Sequence, residues 1–173
     1  MKGVIADCLS KFVSEKFGLD KWHTILTMSD MNEKTIFPIT QDIDDARVMS
    51  LVENSCKVLN ISLAQAADAF GEYWVNQYAT EMYNVYYNKY DNARDFIKGM
   101  DAVHATTTNT MQNAHPPRFE FEDIDDKTLL VTYKSSRNMI DFYMGLVKGV
   151  GIYFKTPLKI EKISGNQVKI IFM

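Results

Sequence analysis

The sequence predicts an α+β fold, because a long helical region precedes a shorter region in which strands surround one helix. Up to about residue 108, apolar side chains recur every three or four positions, which is the spacing of amphipathic helices. After Pro117 they recur at every second position, which indicates strands, and a further helical stretch and two more strands follow. The predicted order is six helices and then a β-β-α-β-β unit, with an antiparallel sheet and a long helix in the second part.

Each of the six helices is predicted from an apolar face and from residues that begin or end helices. Gly18 ends the first helix, and Ser62 with Gln65 makes a capping box at the start of the fourth. Gly71 lies inside the fourth helix, where glycine is less favourable than alanine by about 1 kcal/mol, so we expect close packing or a bend there. The predicted helices cover residues 2–17, 20–28, 44–59, 62–80, 82–90 and a stretch from a cap at 91 or 92 towards the prolines at 116 and 117.

The second part is predicted from alternation and from turn residues. Asp125 and Asp126 separate two alternating stretches and indicate a hairpin turn, and Ser164–Asn166 separates the last two strands. The helix between these hairpins contains three glycines, so packing rather than intrinsic propensity must stabilise it. The predicted elements are strands at 118–122 and 127–133, a helix from 136 or 138 to about 155, and strands at 157–163 and 167–172.

Composition limits the classes of function. The chain has 173 residues, 46% of them hydrophobic and 24% charged, which fits one soluble globular domain. The formal net charge of −3 and the lack of a long basic run argue against binding nucleic acid. No apolar run reaches membrane-spanning length and no signal peptide is evident, so we expect no membrane insertion and a cytoplasmic location. Cys8 and Cys56 lack the spacing of zinc ligands and are expected to pack as small hydrophobic residues.

His104 is the first candidate for chemistry. Together with Ile97, Met100, Thr108 and Met111 it forms one stripe along the sixth predicted helix. Its imidazole is therefore expected to point inward among apolar side chains. An inward histidine can be a metal ligand, but a buried histidine is more often a hydrogen-bonded core residue. The stripe alone therefore leaves both interpretations open.

Tyr133, Ser135 and Arg137 are the second candidate group. They lie at alternate positions where a strand leads into a helix, and in extended geometry alternate side chains share one side. A phenol, a hydroxyl and a guanidinium can all donate hydrogen bonds to carboxylates. The simpler interpretation is a helix cap beside a surface arginine.

An inward His104 and the donor group at Tyr133–Arg137 together match the needs of one cofactor. The chain contains 10 Met, 10 Phe, 9 Tyr and 2 Trp, which can line a cavity for a large flat ligand. A haem needs such a cavity, an axial neutral imidazole, and donors that pair its two propionates. The sequence therefore indicates a haem site with His104 as the iron ligand.

With these motifs the whole chain resembles the haem-nitric oxide/oxygen binding (H-NOX) domains, relatives of the haem domain of soluble guanylate cyclase. The shared features are the opening MKG, FGEYW at Phe70–Trp74, D-x-x-H at Asp101–His104, the pair Pro116–Pro117, and Y-x-S-x-R at Tyr133–Arg137. The resemblance implies one domain over residues 1–173, with a helical part at about 1–65, a haem-anchoring part at about 66–173, and haem b buried between them.

The resemblance also implies a role for individual residues. His104 would ligate the iron, Tyr133, Ser135 and Arg137 would hold the propionates, and Pro117 would press on the proximal face of the porphyrin. Gly71 and Gly145 match glycines at which the helical part pivots. The side chains implied for the distal side of the haem are Ile5, Leu9, Trp74, Tyr78, Phe142 and Leu146.

One position is expected to select the gas. Oxygen-binding members of the family carry a tyrosine nine residues after the motif tyrosine, and this chain has Phe142 there. A phenyl ring cannot donate a hydrogen bond, so the resemblance implies that ferrous haem binds NO and CO and excludes oxygen. Tyr143 is expected to point about 100° away from the Phe142 face. Trp74 and Tyr78 are the donors that could restore oxygen binding.

Signalling is expected to follow release of His104 from the iron, with the change passed to a partner protein. The resemblance offers a sensor histidine kinase, a cyclic-di-GMP enzyme or a chemotaxis receptor as that partner. The alternatives are an oxygen-binding sensor of the same fold, a chemotaxis-receptor sensor domain, a haem enzyme and a haem-free interaction module. A haem enzyme would need a distal acid–base group, and because His23 and His115 do not suit that role, we expect no enzyme activity.

Overall fold

The computed structural model describes residues 1–109 and 111–173, and in these residues seven α-helices and four strands follow one another in the predicted order. The α+β fold is therefore confirmed. The stretch from Asp91 to Pro117, predicted as a helix and a loop, includes Thr110, which lies outside the described residues. The elements are α1 (Val4–Phe17), α2 (Leu19–Met28), α3 (Asp45–Leu59), α4 (Leu63–Tyr73), a π-helical turn (Trp74–Tyr78), α5 (Ala79–Tyr87), α6 (Ala93–Thr108), β1 (Arg118–Asp123), β2 (Thr128–Lys134), α7 (Ile140–Tyr153), β3 (Leu158–Lys162) and β4 (Gln167–Phe172).

The chain divides into two compact units. The first consists of Met1–Ala66 with Met111–Ala114, and the second of Ala67–Thr110 with His115–Met173. Within the first unit, the Lys2 ammonium donates to the Gln112 carbonyl at 2.5 Å. The core of this unit consists of apolar side chains of α1, α2 and α3, among them Cys8, Val13, Ile25, Leu26, Val48 and Leu51.

Local signals in the sequence explain several helix ends. Gly18, with φ of +95°, ends α1 in a conformation that other residues rarely adopt. The predicted capping box is present, because the backbone N–H of Gln65 donates to the Ser62 hydroxyl and the backbone N–H of Ser62 donates to the side-chain oxygen of Gln65. Asp44 caps α3 by accepting from the Ala46 N–H at 2.7 Å.

The second unit is built on an antiparallel sheet with the strand order β1-β2-β4-β3. Alternate residues of β2 are buried, as the period of two requires. Leu129, Val131 and Tyr133 of β2 join Val168 and Ile170 of β4 in the core of the unit, together with side chains of α6 and α7. The sheet thus supports the two helices that carry His104 and Phe142.

The sequence prediction is wrong about the region between α4 and α6. One helix to about residue 80 and a separate helix at 82–90 are predicted, whereas α4, the π-helical turn and α5 form one run that ends at Tyr87. The irregularity within α5 lies at Tyr83, with φ of −127°. No breaking residue stands near residue 80, so the helical run continues to Tyr87.

No helix within residues 1–109 and 111–173 combines the length and the apolar character needed to cross a lipid bilayer.

Candidate haem site

Helix α6 positions His104. The helix begins with Asn92, whose side chain accepts from the Asp95 N–H at 2.9 Å. Phe96 and Ile97 are buried in the first turns, whereas Met100 and His104, further along the predicted stripe, are only partly buried. The prediction is wrong for Met111, which lies beyond the end of α6 at Thr108 and is exposed. The apolar face of α6 is therefore closed at its start and partly open around the imidazole.

A hydrogen bond fixes which nitrogen of His104 is available. Its Nδ1 lies 3.3 Å from the carbonyl oxygen of Pro117. Because a carbonyl can only accept, Nδ1 carries the proton and Nε2 keeps its lone pair. Burial lowers the pKa of His104, although the contact with the Pro117 carbonyl opposes this shift. The result is a neutral imidazole with an unprotonated Nε2, which is the form that ligates metals.

Asp101, one turn before His104, holds the same backbone segment. Its carboxylate accepts from Arg118 Nε at 2.7 Å and Nη2 at 2.5 Å, and from the Phe119 N–H at 2.9 Å. The hydrogen bond from Arg118 is the main cause that lowers the pKa of Asp101 to about 2. Three consecutive residues, Pro117 to Phe119, are thus attached to one turn of α6. The His104 ring also packs against the Phe119 ring, with centroids 5.6 Å apart.

The three predicted carboxylate donors do not share one extended strand. β2 ends at Lys134, and the chain turns at Ser136 and Arg137 before α7 begins, so the expectation from strand alternation is wrong there. The Ser135 hydroxyl accepts from the Arg137 N–H at 3.2 Å, which stabilises the turn. The Arg137 guanidinium donates to the His115 carbonyl at 2.7 Å. This bond brings Arg137 to the segment that leads into Pro117.

Four aromatic rings on α4, the π-helical turn and α7 form a second group, defined here as the aromatic wall: Phe70, Trp74, Tyr78 and Phe142. Trp74 lies with ring centroids 5.9 Å from Phe70 and 5.3 Å from Tyr78, and Phe142 meets Phe70 edge-on at 5.9 Å. Trp74, Phe142 and, one turn further along α7, Leu146 are only partly buried. Phe70 is not among the predicted site residues, although its position four residues before Trp74 on one helix could have indicated it.

Ile5 and Leu9, the other predicted distal residues, belong to α1 of the first unit. Leu9 is buried and Ile5 is half-buried within that unit. Their role beside a haem remains a prediction.

Gly145 and Gly71 lie at a very close crossing of α7 and α4. A Cβ atom at Gly145 would lie 2.1 Å from the carbonyl oxygen of Ala67, and one at Gly71 would lie 2.1 Å from the carbonyl carbon of Gly145. Any larger side chain would push the two backbones apart. The crossing fixes Phe142 and Leu146 relative to the helix that carries Phe70.

Tyr143 points away from the aromatic wall, as the helical spacing predicts. Its ring packs against Phe119 at 4.9 Å and Tyr133 at 5.8 Å between centroids. Its hydroxyl is buried and has no hydrogen-bond partner among the residues that the structure describes. Burial raises the pKa of this phenol, so it stays protonated.

The residues of the second unit fit a haem. His104 offers a free imidazole lone pair, and Trp74, Phe142 and Leu146 offer partly open apolar surface for a porphyrin ring. Ser135 and Arg137, half-buried in a turn, have the donor chemistry that propionates require. Fold and donor set together fit a haem-binding domain.

Comparisons with known proteins identify the family. The family model described as Haem-NO-binding matches residues 2–162. The chain therefore belongs to the Haem-NO-binding family of H-NOX domains, which bind haem b and act as sensors rather than as catalysts.

Solved H-NOX structures share the fold. An oxygen-binding H-NOX domain related to soluble guanylate cyclases, in its oxygen complex, is 23% identical with a TM-score of 0.86 over 99% of this chain and 95% of that chain. A Cs H-NOX variant with 4-cyano-L-phenylalanine is 22% identical with a TM-score of 0.90, covering 99% and 96%. A variant from T. tengcongensis is 22% identical with a TM-score of 0.89, covering 99% and 97%. At these identities the likeness concerns the fold alone.

Proposed function

We propose that this domain senses nitric oxide through a ferrous haem that binds NO and CO and excludes oxygen, and that it signals when His104 is released from the iron. The haem, when bound, supplies the iron that takes the gas. The chain supplies the ligand that is released, the donors that hold the haem edge, and the apolar surface that selects the gas. The observation that carries the selectivity is the absence of a donor on the Phe142 side chain.

On the proximal side, His104 is suited to a bond that can be released. Its Nδ1–H donates to a neutral carbonyl at 3.3 Å, which is long for a hydrogen bond, and not to a carboxylate. A weak partner gives the imidazole little anionic character, so Nε2 is a modest donor to iron. The nearby Asp101 carboxylate is occupied by Arg118 and the Phe119 N–H.

At the haem edge, we propose that Tyr133, Ser135 and Arg137 hold the propionates, and that Pro117 presses on the proximal face of the ring. The support is their chemistry and placement. Arg137 already donates to the His115 carbonyl, two residues before Pro117. The contacts to the propionates and the contact to the proximal face of the haem would thus come from segments that the Arg137–His115 hydrogen bond holds together.

On the distal side, Phe142 is proposed to discriminate against oxygen. Bound oxygen is polar and gains most from a hydrogen-bond donor, whereas NO and CO depend on it much less. Phe142 packs edge-on against Phe70 and offers only carbon and hydrogen. Tyr143, the next residue, has its ring among Phe119 and Tyr133, so its hydroxyl does not replace the missing donor.

An oxygen sensor is the second candidate, and one observation favours it. Trp74 and Tyr78 have polar N–H and O–H groups and belong to the aromatic wall with Phe142. A donor from either side chain would stabilise oxygen. The two candidate functions predict opposite results for the reduced protein in air: no oxygen complex for the NO sensor and a stable one for the oxygen sensor.

The test is an absorption spectrum of the reduced wild-type protein under argon, under air and with NO. We expect air to leave the spectrum unchanged before slow oxidation and NO to change it at once. Phe142→Tyr should give a stable new spectrum under air, because the added phenol can donate to oxygen. The matched control is Phe142→Leu, which removes the ring without adding a donor and should not gain oxygen binding. A stable spectral change of the wild type in air would establish the oxygen sensor instead.

We propose that the signal passes to a partner protein of one of three classes: a sensor histidine kinase, a cyclic-di-GMP enzyme or a chemotaxis receptor. The family's role in sensing supports a partner in general. The sensor domain of a chemotaxis receptor remains an alternative context for the same gas-sensing chemistry.

A further inference from the structure

The π-helical turn Trp74–Tyr78 shapes the aromatic wall. In this turn the Ala79 N–H donates to the Trp74 carbonyl, five residues back, instead of four as in an α-helix. The wider turn contains one more residue than a regular one and changes the directions of the side chains around it. Trp74 and Tyr78 lie on it with their rings only 36° from parallel. Such turns are less favourable than α-helix and persist where other contacts hold them.

Tyr87 makes one of these contacts from the end of α5. Its hydroxyl donates to the Val75 carbonyl, inside the π turn, at 2.9 Å in a buried setting. The Tyr87 ring is fixed between Phe96 and Tyr153, each with centroids 4.9 Å away. Burial raises the pKa of this phenol, so it remains a donor at every physiological pH. The hydroxyl therefore holds a backbone carbonyl of the π turn from a buried, closely packed position.

Asn76 makes the second contact and links the π turn to α7. Its side-chain amide donates to the Glu72 carbonyl at 3.0 Å and to the Gly149 carbonyl at 3.1 Å. The glycine lets α7 approach closely, because a Cβ atom there would lie 3.1 Å from the Val75 Cβ. The same helix carries Phe142, so the two sides of the aromatic wall are joined through the π turn.

We propose that Tyr87 is a positioning residue for the gas-binding face: its bond to the Val75 carbonyl fixes the π turn and thereby the directions of Trp74 and Tyr78. Tyr87 does not belong to the aromatic wall, so its effect passes through the backbone. Without the hydroxyl, the Val75 carbonyl loses this buried donor. The turn then gains access to other helical registers, in which Trp74 and Tyr78 point elsewhere. The role of the aromatic wall in this inference rests on the proposed function.

The experiment compares Tyr87→Phe with Tyr86→Phe. The first keeps the buried ring and removes only the hydroxyl, and the second makes the same change at the neighbouring, half-buried tyrosine, whose ring lies under the Lys89 ammonium. In the haem-free protein, we expect amide hydrogen exchange in residues 75–80 to become about three- to tenfold faster in Tyr87→Phe, the range for one hydrogen bond. Tyr86→Phe should leave these rates unchanged.

The second readout is the C–O stretching band of the reduced, haem-loaded protein under CO, which reports the polar groups around the bound gas. We expect one narrow band in the wild type and in Tyr86→Phe, and a broadened or split band in Tyr87→Phe. Faster exchange with an unchanged C–O band would show that Tyr87 stabilises the helix without orienting the aromatic wall. Unchanged exchange would show that the hydrogen bond from Tyr87 to the Val75 carbonyl does not hold the π turn. Either result overturns the proposal.

Asn76→Leu keeps the experiment decisive if Tyr87→Phe does not fold. It removes the side-chain amide through which the π turn donates to the Gly149 carbonyl of α7. We expect faster exchange in residues 75–80 and a broadened or split C–O band here too. An unchanged band would contradict the proposal that contacts of the π turn set the directions of Trp74 and Tyr78. A protein that binds no gas would contradict the proposed function, while the exchange rates of the haem-free chain would still test the Tyr87 bond.

Discussion

Helices α6 and α7 carry the two groups on which the proposed chemistry depends, and they are held in opposite ways. Around His104, α6 is attached by directional bonds: Asp101 to Arg118 and the Phe119 N–H, and the imidazole to the Pro117 carbonyl. Around Phe142, α7 is held by backbone contact, with Gly145 against Ala67. A ligand atom needs a fixed direction, which hydrogen bonds give, whereas an apolar wall needs a fixed shape, which close packing gives.

The largest expected effect comes from removing the proposed ligand on α6. His104→Gly should lower haem affinity by more than the roughly 10- to 100-fold that loss of a supporting partner costs at a metal site. The Soret absorbance per protein after gel filtration measures this loss, and added imidazole should restore it. His115→Gly, at an exposed residue outside any helix or strand, is the control. If His104→Gly retained haem as well as the wild type without added imidazole, another residue would be the iron ligand.

The next effect concerns the packing of α7. Gly145→Ala adds a methyl group whose carbon would lie 2.1 Å from the carbonyl oxygen of Ala67 if nothing moved. Alanine would gain about 1 kcal/mol in helix propensity, but overpacking costs roughly 1–3 kcal/mol and more where backbone must move. We expect urea unfolding of the haem-free protein to show a net loss of about 1–2 kcal/mol. Gly165→Ala, with nothing within 4 Å of its added Cβ, should change stability little. Equal stability of the two variants would refute the close crossing.

The smallest effect comes from the ionic attachment of α6. Asp101→Asn should lower the Tm of the haem-free protein by about 2–4 °C at pH 7, because the pair with Arg118 is partly exposed and screened. Folding lowers the pKa of Asp101 from 3.8 to about 2, so its contribution is complete above about pH 4 and disappears as the pH falls towards 2. The Tm difference between wild type and variant should therefore shrink over that interval.

Glu122→Gln, an exposed neutralisation on the same strand that Arg118 begins, is the control for this measurement. A Tm difference for Asp101→Asn that persisted down to pH 2 would mean that packing, and not the ionised carboxylate, holds α6 to Pro117–Phe119.

The sequence predicts the features that local signals specify. The capping box at Ser62 and Gln65, the stripe that contains His104, and the alternation of β2 all depend on residues a few positions apart, and all three are present. The α+β order follows from the same periodicities.

The features that the sequence does not predict depend on distant contacts. The π turn is held by Tyr87 and by the Gly149 carbonyl, and no local pattern in WVNQY specifies it. The alternation that places Tyr133, Ser135 and Arg137 on one side stops at Lys134, because the chain must turn towards α7. Asp101 lies in the D-x-x-H motif, yet its partner Arg118 comes from beyond a loop, so its role is visible only in the fold.

The π turn also has an evolutionary implication. A π turn holds one residue more than an α-helical turn, so deletion of one residue there could restore a regular helix without displacing the segments on either side. If the aromatic wall faces the gas as proposed, relatives with one residue fewer near Trp74–Tyr78 would present that wall in a different direction while keeping every motif residue. Under the proposed function, the number of residues in this turn, in addition to their identity, would then affect which gas the domain prefers.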